Sequence, residues 1–97
     1  MSPLLTIKLL KEIERAHTYV VEVAQDRAQT RHEVVLEKEY GEALTNGKAS
    51  PEELVKFSFH FLLEREPKEA ILKQFNLSLI QEYFPEYEQS AKKHFIG

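Results

Sequence analysis

The hydrophobic positions of the chain are densest between Ser50 and Glu66, where the sequence reads SPEELVKFSFHFLLERE. Ser50 and Glu53 have the spacing of a capping box, and Pro51 stands at the first helical position, where its missing N–H costs nothing. On a helix, the apolar side chains of this stretch cover about two thirds of the circumference. The pattern predicts a central helix surrounded by other elements, with the apolar residues Leu54, Val55, Phe57, Phe59, Phe61, Leu62 and Leu63.

The N-terminal pattern predicts a helix over residues 3–15. Leu5, Leu9 and Ile13 recur at intervals of four residues, which is the spacing of one helix face. A Ser-Pro pair precedes them, as it precedes the central helix.

Residues 17–37 are predicted to form a β-hairpin. The segment 17–24 (HTYVVEVA) is rich in β-branched residues, and 30–37 (TRHEVVLE) alternates apolar and polar positions, with a polar turn between them. A competing interpretation runs one long helix through Ile13, Ala16, Val20 and Val23. The density of β-branched residues favours the hairpin, because these residues lose side-chain freedom in a helix.

Residues 38–85 are predicted to form a helical layer, followed by a mostly polar tail over 86–97. Its pieces are a short helix at 38–44, the central helix, a helix at 68–75 that begins after Pro67, and a short helix that ends at Pro85. Ser78 and Gln81 repeat the capping-box spacing at the start of the last of these.

The predicted fold class is therefore α+β in a single small globular domain. It comprises an N-terminal helix, a two-stranded antiparallel hairpin and three to four helices packed around the central apolar helix. Two strands alone make a marginal sheet, and their edges expose backbone groups that can pair with another strand. We therefore expect a homodimer joined through the hairpin edge.

Charge and composition exclude several function classes. The net charge of −3 and the isoelectric point near 5.8 argue against nucleic-acid binding, which relies on clustered Lys and Arg. With no cysteine, the chain has neither disulfides nor thiolate metal sites. No run of 18 apolar residues and no signal-peptide pattern occurs, so a soluble cytoplasmic protein is expected.

No arrangement of residues indicates an enzyme, a cofactor or a metal site. His60 and Glu64 share a helix face, but no third ligand stands at a recognised spacing. No serine lies in a glycine-flanked elbow, and three glycines are too few for a phosphate-binding loop. The pair is interpreted as part of a solvated polar stripe that it forms with Lys56 and Glu53 on the central helix.

The segment 81–88 (QEYFPEYE) is the best candidate for a binding site. It interleaves aromatic and acidic residues, a composition that suits a basic protein partner because aromatic side chains are favoured at interface centres. In the alternative interpretation, Phe84 and one tyrosine pack beneath the turn at Pro85. The candidate partner-binding residues are Glu82, Tyr83, Glu86, Tyr87 and Glu88.

The pattern as a whole predicts a non-enzymatic protein-interaction or regulatory module that self-associates. Two alternatives stay open. The strand residues 34–36, the short helix and the central helix loosely resemble ribbon-helix-helix regulators, which implies a dimer reading DNA with Arg31, Glu33 and Val35, of which only Arg31 is basic. The cluster of Phe57, Phe59 and Phe61 would alternatively bind a small apolar ligand.

Overall fold

The computed structural model describes residues 2–97 and has an α+β fold, with helices that follow a four-stranded sheet. The strands are β1 Leu4–Ile13, β2 Ala16–Gln25, β3 Ala28–Glu37 and β4 Gln74–Asn76. The helices are α1 Lys38–Thr45, α2 Pro51–Leu63, α3 Ile80–Tyr83 and α4 Tyr87–Phe95, with 3₁₀ turns at Lys68–Ala70 and Leu77–Leu79. The strand order is β1-β2-β3-β4, in which only the β3–β4 pair is parallel.

The prediction of an N-terminal helix over residues 3–15 was wrong, because this segment forms β1. Leu5, Ile7 and Leu9 alternate along the strand and pair with core-facing residues of β2. A spacing of four residues is two strand periods as well as about one helical turn, so Leu5 and Leu9 share a face in either structure. Pairing with β2 decides between the two.

The predicted hairpin is present as β2 and β3, but a sheet of only two strands was wrong. Asp26 and Arg27 form its two-residue turn with positive φ angles of 56° and 65°, the backbone that matches the twist of a tight hairpin. β1 covers one edge of the hairpin and β4 covers the other. The β2 edge of the hairpin is therefore occupied within the chain, and the β3 edge is covered at residues 33–35.

The core lies between one face of the sheet and α2. Val21 and Val34 on the sheet, and Leu54 and Phe59 on the helix, are completely buried. The capping box predicted for α2 is present: Ser50 Oγ accepts from the Glu53 N–H at 3.1 Å, and the Glu53 carboxylate accepts from the Ser50 N–H. The central helix was thus predicted with its correct start and its correct apolar face.

The helix predicted over residues 68–75 is absent. After one 3₁₀ turn the chain becomes extended, because β3 holds it: the Glu33 N–H donates to the Lys73 carbonyl at 2.7 Å, and His32 Nδ1 donates to the Leu72 carbonyl at 2.8 Å. Phe75 then packs on Phe59. Tertiary pairing therefore overrides the local helical pattern.

The polar tail over residues 86–97 contains α4, which packs against α1 and α2. Tyr87 and Ala91 on its inner face are fully buried. Tyr40 on α1 donates a hydrogen bond of 2.9 Å to Glu88. Over residues 2–97, every helix is too short or too polar to cross a lipid bilayer.

Candidate partner-binding surfaces

The acidic aromatic segment singled out in the sequence forms the turn between α3 and α4. Gln81 ties this turn together, since its side-chain amide donates to the Pro85 carbonyl at 2.6 Å and its oxygen accepts from the Glu88 N–H at 2.8 Å. The capping box predicted for Ser78 and Gln81 does not form, because the Ser78 hydroxyl and N–H both bond to Asn76 instead.

Tyr87 is a core residue and has no surface to offer a partner. Its side chain is completely buried, its ring lies 5.3 Å from that of Phe61, and its hydroxyl is 2.5 Å from Ser58 Oγ. Burial raises the pKa of the Tyr87 phenol above its ordinary value, so the group stays neutral. The interpretation in which one tyrosine packs beneath the turn describes Tyr87 correctly.

The two carboxylates beside Tyr87 are engaged within the chain. Glu86 accepts from Arg65 Nε at 3.2 Å, and its own backbone N–H together with Arg65 lowers its carboxyl pKa. Glu88 accepts from Tyr40, as described above. Each carboxylate therefore has one oxygen engaged within the chain.

Glu82 and Tyr83, by contrast, are open to solvent. Tyr83 has 65% of its side chain exposed, the largest exposure of any aromatic residue in the described chain. Its ring borders an apolar depression, which we name the C-terminal cleft. The lining comprises Leu62, Glu66, Ala70, Ile71, Leu72, Phe75, Leu79, Ile80, Tyr83 and Phe84.

The C-terminal cleft has a volume of about 230 Å³ and lies at the β4 side of the sheet. Its floor is formed by the buried residues Leu62, Ile71 and Ile80. The Glu66 carboxylate is the one ionised group among the lining residues, and it has no hydrogen-bond or ion-pair partner in residues 2–97. Burial raises the pKa of Glu66 above its ordinary value, because the charged form loses water there.

A second surface of interest is the outer edge of the sheet at β1. This strand pairs with β2 on one side, and within residues 2–97 no strand covers its other side. A register shift between Leu9 and Lys11 places a bulge at Leu10. Four large apolar side chains of the strand are exposed: Leu4 by 68%, Leu9 by 49%, Leu10 by 54% and Ile13 by 57%.

No protein family, characterised protein or solved structure matches this chain. Its function is therefore inferred from the geometry of its own residues. At the two surfaces above, large apolar side chains are clustered and exposed to solvent, which is the usual mark of an interaction site.

The phenylalanine cluster of α2 is mainly core packing. Phe59 and Phe61 are buried, and Phe57 stacks on His94 of α4 with ring centroids 4.9 Å apart. His60 and Glu64 line an open groove between α2 and α4. Within residues 2–97, no three His, Asp or Glu side chains come together as a metal site would require.

The strand that resembles a ribbon-helix-helix strand lies inside the sheet. Residues 34–36 belong to β3, which pairs with β2 on one side and with β4 on the other. The resemblance implies a dimer whose strand reads DNA through its outward side chains. β3 has no free edge along residues 33–35 for pairing with a strand of a second subunit.

Sequence reasoning singled out Tyr83, which lines the cleft, and its chain neighbour Glu82, but it missed the other lining residues and the β1 edge. The strand Gln74–Asn76 is too short to leave a period-two pattern, so residues 68–75 contained no local signal against the helical interpretation. Glu66 carried no signal, because its neighbours in the cleft come from distant parts of the sequence.

Proposed function

We propose that the protein is a non-enzymatic interaction module that acts as a homodimer joined along β1. The observation that carries this proposal is the free edge of a ten-residue strand with exposed apolar side chains. Such an edge offers unpaired N–H and C=O groups to a further strand. Edges that remain in water are usually short, charged or covered, and β1 is long and mostly apolar.

Antiparallel pairing about a two-fold axis at Ile7 suits the side chains of β1. It sets Leu5 opposite Leu9 of the partner subunit, on the sheet face that carries the core. On the other face it sets Thr6 opposite Lys8 of the partner subunit, so that no two like charges stand directly opposite each other. The pairing uses residues before the bulge, and a symmetric contact of this kind closes as a dimer.

Pairing also covers side chains that the monomer leaves half in water. Leu5 and Ile7 point toward the core face but are only partly buried, and Leu9 is half exposed. Each Leu or Ile that becomes fully buried contributes up to about 1.5–3 kcal/mol, and the cross-strand pairs add to this. The apolar character of the edge therefore favours a second copy over solvent.

Light scattering over a range of protein concentrations tests the proposal. The expected mass is twice the monomer mass of 11.3 kDa, and Leu9→Lys is expected to give the monomer because it places a charge inside the paired edge. Leu72→Lys is the matched control, since Leu72 is 47% exposed but lies in the C-terminal cleft. A wild-type protein that stays monomeric at every concentration would refute the proposal.

A further inference from the structure

The C-terminal cleft combines an apolar floor with an exposed apolar rim. Leu62, Ile71 and Ile80 form the floor and are buried. Leu72 and Tyr83 stand at the rim with 47% and 65% of their surfaces exposed. The floor residues are thus buried in the folded protein, whereas the rim residues remain exposed and can contact a binding partner.

The size of the cleft favours a single side chain over a free small molecule. Sites for small molecules and cofactors typically have volumes of about 300–1,000 Å³ and enclose most of the ligand. This cleft holds about 230 Å³ and is open on one side. One large apolar side chain fills such a volume while the backbone that carries it rests on the rim. Aromatic and large apolar rim residues are those that protein interfaces favour.

The charges around the cleft favour a basic partner. Residues 64–88 contain six acidic and three basic residues, and this net charge of −3 equals that of the whole chain. Two ion pairs within the chain engage equal numbers of basic and acidic residues: Arg65 bonds to Glu86 and lies over the Phe61 ring, and the buried Lys68 pairs with Glu69 at 2.9 Å. Among the residues that line the cleft, Glu66 is the one charged residue.

Glu66 marks the place where a cation would be stabilised. Its carboxylate belongs to the lining of an apolar cleft, and it has no partner within residues 2–97. A partly buried charge without a partner is unfavourable, and an incoming Lys or Arg relieves that cost through a charge-assisted hydrogen bond. Glu82, exposed on α3 beside Tyr83, adds a second negative charge near the rim.

We propose that the C-terminal cleft binds a segment of another protein that carries one large apolar side chain beside a Lys or Arg. The apolar side chain fills the space above Leu62, Ile71 and Ile80, and the cation meets the Glu66 carboxylate. The peptide backbone lies across Leu72 and Tyr83. This site is separate from the edge at β1, because β4 and β1 are at opposite sides of the sheet.

A phage-displayed library of random twelve-residue peptides, selected on the wild-type protein, provides the probe. The expected result is enrichment of peptides in which Leu, Ile, Met or Phe stands within two positions of Lys or Arg. The most enriched peptide is then synthesised with a fluorescent label, and its affinity is measured by fluorescence polarisation. Selection that enriches nothing, or that enriches peptides without a basic residue, would overturn the proposal.

Variants then locate the binding site. Glu66→Gln is expected to weaken the selected peptide about tenfold, the effect of losing one charge-assisted hydrogen bond. Glu64→Gln is the matched control, because it removes the same charge two residues away in the groove between α2 and α4. Tyr83→Ser, at a mostly exposed site, is expected to weaken the peptide as well. Equal losses for Glu66→Gln and Glu64→Gln would place the peptide elsewhere and refute the site.

The outcomes for the two surfaces can be separated. Leu9→Lys is expected to abolish the dimer and to keep peptide affinity, whereas Leu72→Lys is expected to keep the dimer and to weaken the peptide. A monomeric wild type that binds the peptide would refute the joined sheet alone. A dimer that binds no peptide would refute the cleft alone.

Discussion

Replacing Ser58 with alanine is expected to destabilise the protein by about 1–3 kcal/mol, because it strands a buried hydroxyl. Ser58 Oγ donates its one proton to the Leu54 carbonyl at 2.7 Å, so it has none left to donate to a second acceptor. The Tyr87 hydroxyl, 2.5 Å away, must therefore donate to Ser58. Both side chains are fully buried, so water does not replace the lost acceptor.

The reverse substitution is expected to be milder. Tyr87→Phe removes the donor together with its need for a partner, and Ser58 keeps its bond to Leu54, which predicts a loss of about 0.5–1.5 kcal/mol. In the Tyr87→Phe background, Ser58→Ala no longer strands a hydroxyl and should cost less than it does alone. The difference is the coupling energy of the pair, expected at about 1 kcal/mol.

Urea unfolding followed by circular dichroism measures the four free energies of this cycle. All four proteins must be compared at one concentration, because self-association would make stability depend on concentration. A common denaturant slope would show that only stability has changed. If Ser58→Ala costs the same in both backgrounds, the two hydroxyls are not coupled and the hydrogen bond between them is refuted.

Two further predictions concern β3 and its turn. Burial lowers the pKa of His32 below its ordinary value of 6.5, so the unfolded chain binds a proton at a higher pH than the folded protein does. The stability that neutral His32 contributes is therefore fully present above pH 6.5 and is lost as the pH falls toward the folded pKa. Urea midpoints at pH 7.5 and pH 5 should show this loss, and His32→Gln should reduce it. Arg27→Gly is expected to stabilise the protein by up to about 1 kcal/mol, because Arg27 has φ of 65°; an unchanged or lower melting temperature would contradict this.

Local signals in the sequence predicted the elements whose determinants are local. The start of α2 depends on Ser50, Pro51 and Glu53, which are neighbours in the chain, and it was predicted correctly. The β2–β3 hairpin follows from a dense run of β-branched residues around a polar turn. In contrast, Leu5 and Leu9 share a face in a helix and in a strand alike, so only pairing with β2 identifies β1.

The binding surfaces were harder to predict, because their residues meet only in the folded protein. Tyr83 and Tyr87 are four residues apart in one acidic segment, and the residues around them are too similar to distinguish the two tyrosines. Yet Tyr87 begins α4 and points into the core, whereas Tyr83 ends α3 and borders the cleft. Which tyrosine stays exposed depends on how α4 docks against α1 and α2, and no periodicity within the segment contains that information.

The two edges of the sheet show why an interface is expected at β1. At the β3 edge the chain supplies its own cover: the carbonyls of Leu72 and Lys73 accept from His32 and from the Glu33 N–H, and Asn76 bonds to Glu37. The outermost strand there is only three residues long, which limits what another chain can pair with. At the other edge, ten residues of β1 have no such cover within residues 2–97. The contrast between a β3 edge held by a buried histidine and a β1 edge that is open and largely apolar supports the proposal that a second copy pairs along β1.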